Sequence, residues 1–223
     1  MKDYRNKELK YLLTFYIFLF ILLCTPLLKN ITTISTDAYQ SVSNIFEGII
    51  VSGAISVGVF LIDCIISSQL KNKLVGLFLI RRSGEKIFTK ISKNEEFDNR
   101  FSVLAARTKY KTILENLPKT KKEKYNYENA NWYCIYQKNK ENGAINQSQK
   151  DYLLCRDMFS QTIVFLVVYL VSLIFLAPVV TFSLKFLVVL LTFAVITNIA
   201  THVKMSRFVN TVIACDLNNK EGE

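Results

Sequence analysis

A chain of 223 residues, 51% hydrophobic, 13% aromatic and carrying a formal charge of +10, has the length of one or two soluble domains but not their dispersal of apolar residues. Those residues gather into four runs of about 17 to 20, each long enough to cross about 30 Å of hydrocarbon as a helix. Clustering of this kind excludes a soluble helical bundle, whose helices need a polar face along their length.

The chain begins with KDYRNKELK, which places Lys2, Arg5, Lys7 and Lys10 ahead of the first apolar run, 11–28. A basic start before an apolar run also describes a signal peptide. This run is too long for one and no A-x-A-like cleavage site follows it. The bulky Leu23 before Cys24 argues against a lipoprotein signal, so the segment is expected to be a helix of the mature protein. NITTISTDAYQSVSN then reads as a connector; its N-I-T has the form of a glycosylation sequon, which a bacterial inner-membrane protein would not use. The second run, 48–66, differs in kind, because Gly48, Ser52 and Ser56 recur every four residues with Gly53, Ala54 and Gly58 alongside. Such a helix has one face without bulk, where another backbone can approach closely. Both another helix of the same chain and a second copy of the chain, at an oligomer interface or pore lining, fit that face.

Between the second and third runs lies a basic insert, 67–158, with about 19 Lys and Arg against about 10 Asp and Glu. SSQLKNKLVGLFLIRR continues as an amphipathic helix along the membrane surface, RSGEK turns at Ser83 and Gly84, and KIFTKI reads as a short strand. NEEFDNRFSVLAARTKYKTILENLP carries Phe101, Leu104, Ile113, Leu114 and Leu117 at helical spacing before Pro118, which predicts a cytosolic helix of about 20 residues. In KTKKEKYNYENANWYCIYQKNK, lysines precede a run of aromatics and WYCIY reads as a second strand. Basic residues interleaved with aromatics can hold phosphates and stack bases. A solvated basic loop beside a core strand has the same composition. The candidate ligand or partner site is Lys119, Lys121, Lys122 and Lys124 with Tyr127, Trp132 and Tyr133.

ENGAINQS is a loop, after which SQKDYLLCRDM starts a helix that enters the third run, 159–177. The fourth run, 184–201, passes without a break into THVKMSRFVNTVIACDL, where Phe208, Val212 and Cys215 share a face. The last helix is therefore expected to leave the membrane by about two to three turns and pack on the insert. Asp63, at the end of the second run, and Arg156 and Asp157, at the start of the third, should lie at similar depth. Ionisable groups there are costly unless they pair or reach the interface. An Asp63–Arg156 pair tying the two hairpins and independent snorkelling of each charge are both open.

Basic residues cluster in the N-terminal segment, the insert and the tail, so all three are expected in the cytoplasm. The expected fold is a mainly α membrane protein: a hairpin at 1–66, a small α+β cytosolic insert at 67–158, a second hairpin at 159–201 and a helical tail at 202–223. Five cysteines, an odd number with none in an outer loop, imply no disulfide framework. No pair of cysteines has zinc-finger spacing, His202 is the sole histidine, and no hydrolase, Walker or zinc-protease motif occurs, so no catalytic residue, metal or cofactor is expected. The two hairpins differ in loop length and small-residue content, which argues against a transporter built from repeats.

Two hairpins around a basic insert are similar in layout to small membrane effectors of bacterial antiviral systems, a likeness that no motif carries. On that layout the expected function is a non-enzymatic, oligomeric membrane protein of the bacterial inner membrane. Its insert would sense a ligand or partner and its helices would permeabilise or remodel the bilayer. A membrane-anchored scaffolding or regulatory subunit and a small solute channel or transporter are the alternatives. Expected partners are the bilayer, further copies of the chain, and a cytosolic protein or nucleotide at the insert; nucleic acid is the less favoured partner.

Overall fold

The computed structural model describes residues 2–24, 53, 58, 65–78, 84–95, 98–175 and 181–218. Among them the regular structure is helical: α1 (Lys2–Cys24), α2 (Ser68–Phe78), α3 (Ile87–Ser92), α4 (Val103–Lys109), α5 (Lys111–Glu115), α6 (Lys121–Asn139), α7 (Gly143–Phe175) and α8 (Leu184–Asn218). The chain divides into two compact units. The first is Met1–Val75 with Leu154–Ile199 and the second is Gly76–Leu153 with Ala200–Glu223.

In the first unit α1 packs on residues of α7 and α8 through aromatic rings. Tyr16 and Phe20 are fully buried, with Phe165 tilted against Tyr16 at 5.4 Å and Phe186 edge-on to Phe20 at 5.9 Å. Tyr169 meets Phe186 edge-on at 5.0 Å, the arrangement the ring quadrupole favours. Polar groups pin the register: the Tyr16 hydroxyl lies 2.7 Å from Thr162 Oγ1, and the Thr181 backbone N–H donates to the Cys24 carbonyl at 2.8 Å. The latter satisfies an acceptor that the last turn of α1 would otherwise leave open. A smaller cluster seats Val75 of α2 against Phe159 and Ala194.

α7 and α8 are each long and apolar enough to cross a membrane. They match the third and fourth runs and give a mainly helical protein with two span-like helices. α1 contributes a shorter apolar stretch, Leu9–Cys24, that falls below that length. Of the run at 48–66 only Gly53, Gly58, Ile65 and Ile66 are described residues. Both long helices extend beyond their apolar part, and by more than the sequence predicts: α7 begins at Gly143, inside the expected loop ENGAINQS, and α8 runs on to Asn218, past the expected two to three turns.

The second unit is built around a cluster that includes Phe88, Ile91, Ala106, Trp132, Ile145, Phe208, Val212 and Ile213. The C-terminal part of α8 thus packs on the insert, as its apolar face predicts. The expected α+β character is corrected, because no strand occurs among the described residues. KIFTKI is helix α3: a strand would separate Phe88 from Ile87 and Ile91, whereas a helix gathers all three on one buried face. WYCIY lies inside α6, where Glu128, Trp132, Ile135 and Asn139 form the buried stripe and Cys134 is exposed. The predicted 20-residue helix is likewise corrected to two short ones, α4 and α5, divided at Tyr110. That residue's backbone (φ −99°, ψ 20°) ends one helix and starts the next, and its buried ring stands edge-on to Phe88 at 5.5 Å. Core packing of one tyrosine has overridden the periodic pattern on either side of it.

Candidate functional site

Three lysines of α3 and its flanks, Lys86, Lys90 and Lys93, sit at spacings of four and three, which a helix brings to one face. Thr120 precedes α6 as its N-cap position, so the helix begins among Lys119, Lys121 and Lys124. These six lysines line one cavity of about 480 Å³ in the second unit, together, among the described residues, with Thr89, Tyr125 and the acid Glu95. Like charges so gathered repel one another, and an anion held among them would relieve that repulsion.

Behind this wall lies Glu128, fully buried. Its Oε2 accepts the backbone N–H of Thr89 at 3.0 Å and its Oε1 accepts the Thr89 hydroxyl. Lys86, the N-cap residue of α3, offers no side-chain cap, so a carboxyl from α6 caps α3 in its place. Burial raises the Glu128 pKa above the ordinary value, against the lowering effect of the Thr89 bonds and of nearby Lys124.

A second cavity in the same unit is lined by Asp98, Arg100, Val203, Ser206, Arg207 and Asn210. Its positive charge is largely spent internally. Arg100 grips Asp98 through Nε at 2.8 Å and Nη2 at 2.6 Å, and Nη1 donates to Thr211 Oγ1 at 2.8 Å. The guanidinium holds the Asp98 carboxyl below its usual pKa. The lysine cavity gathers more cations among its described lining residues.

Of the residues singled out in the sequence, Lys119, Lys121 and Lys124 converge on that cavity, whereas Lys122 is exposed outside its lining. Tyr127 is half-buried and also outside the lining, and Tyr133 is exposed beside Tyr136 at 5.8 Å. Trp132 is a core residue rather than a stacking platform. It lies 4% exposed, parallel to Tyr136 at 5.8 Å and edge-on to Phe208 at 5.4 Å. Read as a strand, KIFTKI turns Lys93 away from Lys86 and Lys90 and hides the cluster; the helix aligns all three.

The charges at the start of the third run meet in the first unit. Arg156 donates to Asp157 Oδ1 through Nε at 3.0 Å and Nη2 at 2.9 Å, and to Asn72 Oδ1 through Nη1 at 3.2 Å. Lys71 of α2 approaches the same Asp157 oxygen at 3.9 Å, with side chains 6% and 0% exposed. Asp63, the expected partner of Arg156, lies outside the described residues. So do Gly48, Ser52 and Ser56 of the small-residue face. Gly53 is exposed, Gly58 half-buried, and a Cβ at either would have nothing within 4 Å among the described residues.

Comparison with protein-family models, with curated proteins and with solved structures finds no match for this chain.

Proposed function

We propose that this chain is a non-enzymatic membrane protein that receives an anionic signal or partner at the lysine cavity and answers by permeabilising or remodelling the bilayer as an oligomer. The observation that carries this is the convergence of six lysines on one cavity, in a chain that also has two helices long and apolar enough to span a membrane. A protein whose helices only anchored it would have no need to hold that repulsion. In this reading the runs at 11–28 and 48–66 complete a four-span arrangement in the inner membrane of a bacterium, with both termini and the lysine unit in the cytoplasm. The oligomer forms along Gly48, Ser52, Gly53, Ser56 and Gly58, whose small side chains allow close helix approach. A four-span layout of this kind is similar to that of small membrane effectors of antiviral defence, a likeness that no motif carries.

Expression in a bacterium with a membrane-potential dye tests the reading. The wild-type chain should depolarise the cells when its signal is present, and Lys119→Gln, Lys121→Gln, Lys122→Gln and Lys124→Gln together should abolish the response while membrane insertion persists. A chain that inserts, responds to no condition and co-purifies with a cytosolic protein would instead be a membrane-anchored regulatory subunit. Reporter fusions after Glu128 and after Glu223 should both read cytoplasmic, and a periplasmic signal from either would refute the orientation.

A further inference from the structure

We infer that the lysine cavity takes the oligophosphate group of a small soluble compound, and that a nucleoside triphosphate is the class matching its charge, size and lining; this rests on the sensing role proposed above. The six lysines beside Glu95 among the described lining residues suit a ligand carrying several negative charges within a few ångströms, which a monocarboxylate lacks. All six cations are lysines. Ammonium groups are point charges that donate to phosphate oxygens from many directions. The cavity, about 480 Å³, falls within the range of about 300–1,000 Å³ common to small-molecule sites.

Tyr125 is the aromatic residue of the lining among the described residues, and one ring is what a single base needs for stacking. Thr89 cannot serve as a second polar anchor through its hydroxyl hydrogen, which is committed to Glu128. The phosphate-bearing alternative is a lipid headgroup. A membrane surface is met by cations spread across a face, and these instead surround one concave volume.

Isothermal titration of the full chain in detergent micelles, with ATP and with inorganic tripolyphosphate as probes, decides the matter. Both should bind saturably with one site per chain and weaken as salt is raised. Lys90→Gln with Lys121→Gln should weaken both by at least about tenfold, each single change should weaken them by about threefold or more, and Lys111→Gln, on an exposed pair with Glu115, should leave them within about twofold. Tyr125→Ala should weaken ATP by about tenfold and leave tripolyphosphate unchanged. The single variants guard against misfolding of the double one, and the emission of Trp132 checks that the unit remains folded.

No saturable binding of either probe at low salt, equal binding by the double variant, or lysine-dependent binding only to phosphatidylglycerol vesicles would each overturn the assignment. An unchanged ATP affinity in Tyr125→Ala would overturn its nucleotide part. If the probes fail while the lysine variants still abolish depolarisation in cells, the ligand class falls and the sensing role stands. If the probes bind while expression never depolarises a cell, the reverse holds.

Discussion

Glu128 caps a helix to which it does not belong, taking both the backbone N–H and the hydroxyl of Thr89. Because burial raises its pKa, the folded unit binds that proton more tightly than the unfolded chain does. The resulting stabilisation is fully present below the ordinary glutamate value of 4.5 and is lost as pH rises through the folded value. Thermal unfolding followed by the emission of Trp132, the one tryptophan of the chain, should therefore give a melting temperature that falls as pH rises from about 4.5 towards neutrality. Glu128→Gln should flatten that slope. Glu128→Ala, which leaves the Thr89 N–H without its acceptor, should cost about 1–3 kcal/mol near pH 4.5, and the gap from wild type should narrow as pH rises.

Gly84 is tied to the same core by contact. A Cβ built on it would stand 2.7 Å from Trp132 Cβ and 2.9 Å from Cγ, atoms close to the α6 backbone that cannot swing aside. Gly84→Ala should destabilise the second unit by about 1–3 kcal/mol and shift Trp132 emission to the red as water reaches the indole. A melting temperature equal to wild type would show that the approach is looser than described.

Asp216 gathers three donors. Tyr110 gives its hydroxyl at 2.7 Å, Asn139 its amide at 2.8 Å, and Lys109 approaches Oδ2 at 3.1 Å. Burial pushes the carboxyl up, but these bonds outweigh it and the pKa is lowered. That contribution is present above the ordinary aspartate value of 3.8 and fades as pH falls through the folded value, opposite in sign to Glu128. Asp216→Asn should cost about 1.5–3 kcal/mol near neutrality. The gap from wild type should narrow in melts carried out below pH 3.8.

The Arg156–Asp157 pair makes a prediction about rank. Asp157 faces two cations, Arg156 and Lys71, whereas Arg156 also has the Asn72 amide oxygen. Asp157→Asn removes the counter-charge from both cations and should cost about 3–5 kcal/mol. Arg156→Gln leaves Lys71 beside the carboxylate and should cost less. Melting of each purified variant in the same detergent orders the two, and the reverse order would mean that Lys71 contributes nothing to holding Asp157.

The long helices were legible in the sequence because nothing interrupts them. From Phe159 to Phe175 no Asp, Glu, Lys or Arg breaks the run, and the polar residues of 202–218 alternate with Phe208, Val209, Val212 and Ile213 at a helical period. The insert was not legible to the same degree. Six residues such as KIFTKI satisfy a strand and a helix alike, and only burial of Phe88 with Ile87 and Ile91 separates the two. The break at Tyr110 had no sequence signal, since neither Gly nor Pro marks it. Half of the lysine site, Lys119, Lys121 and Lys124, was visible as a run. The other half depended on the secondary structure assigned to α3, so one misread element hid three residues of the cavity lining.

Thr89 belongs at once to the lysine cavity and to the buried carboxyl behind it. Lys124, which lines the cavity, also lowers the proton affinity of Glu128. An anion seated against Lys124 would offset that influence, so occupancy of the cavity and protonation of Glu128 must favour each other by the same factor. Ligand capture in the pH range where Glu128 titrates would then draw protons from the medium, and the heat of binding there would vary with the ionisation enthalpy of the buffer. The protein would so report two variables, ligand level and proton level, through a single wall of α3.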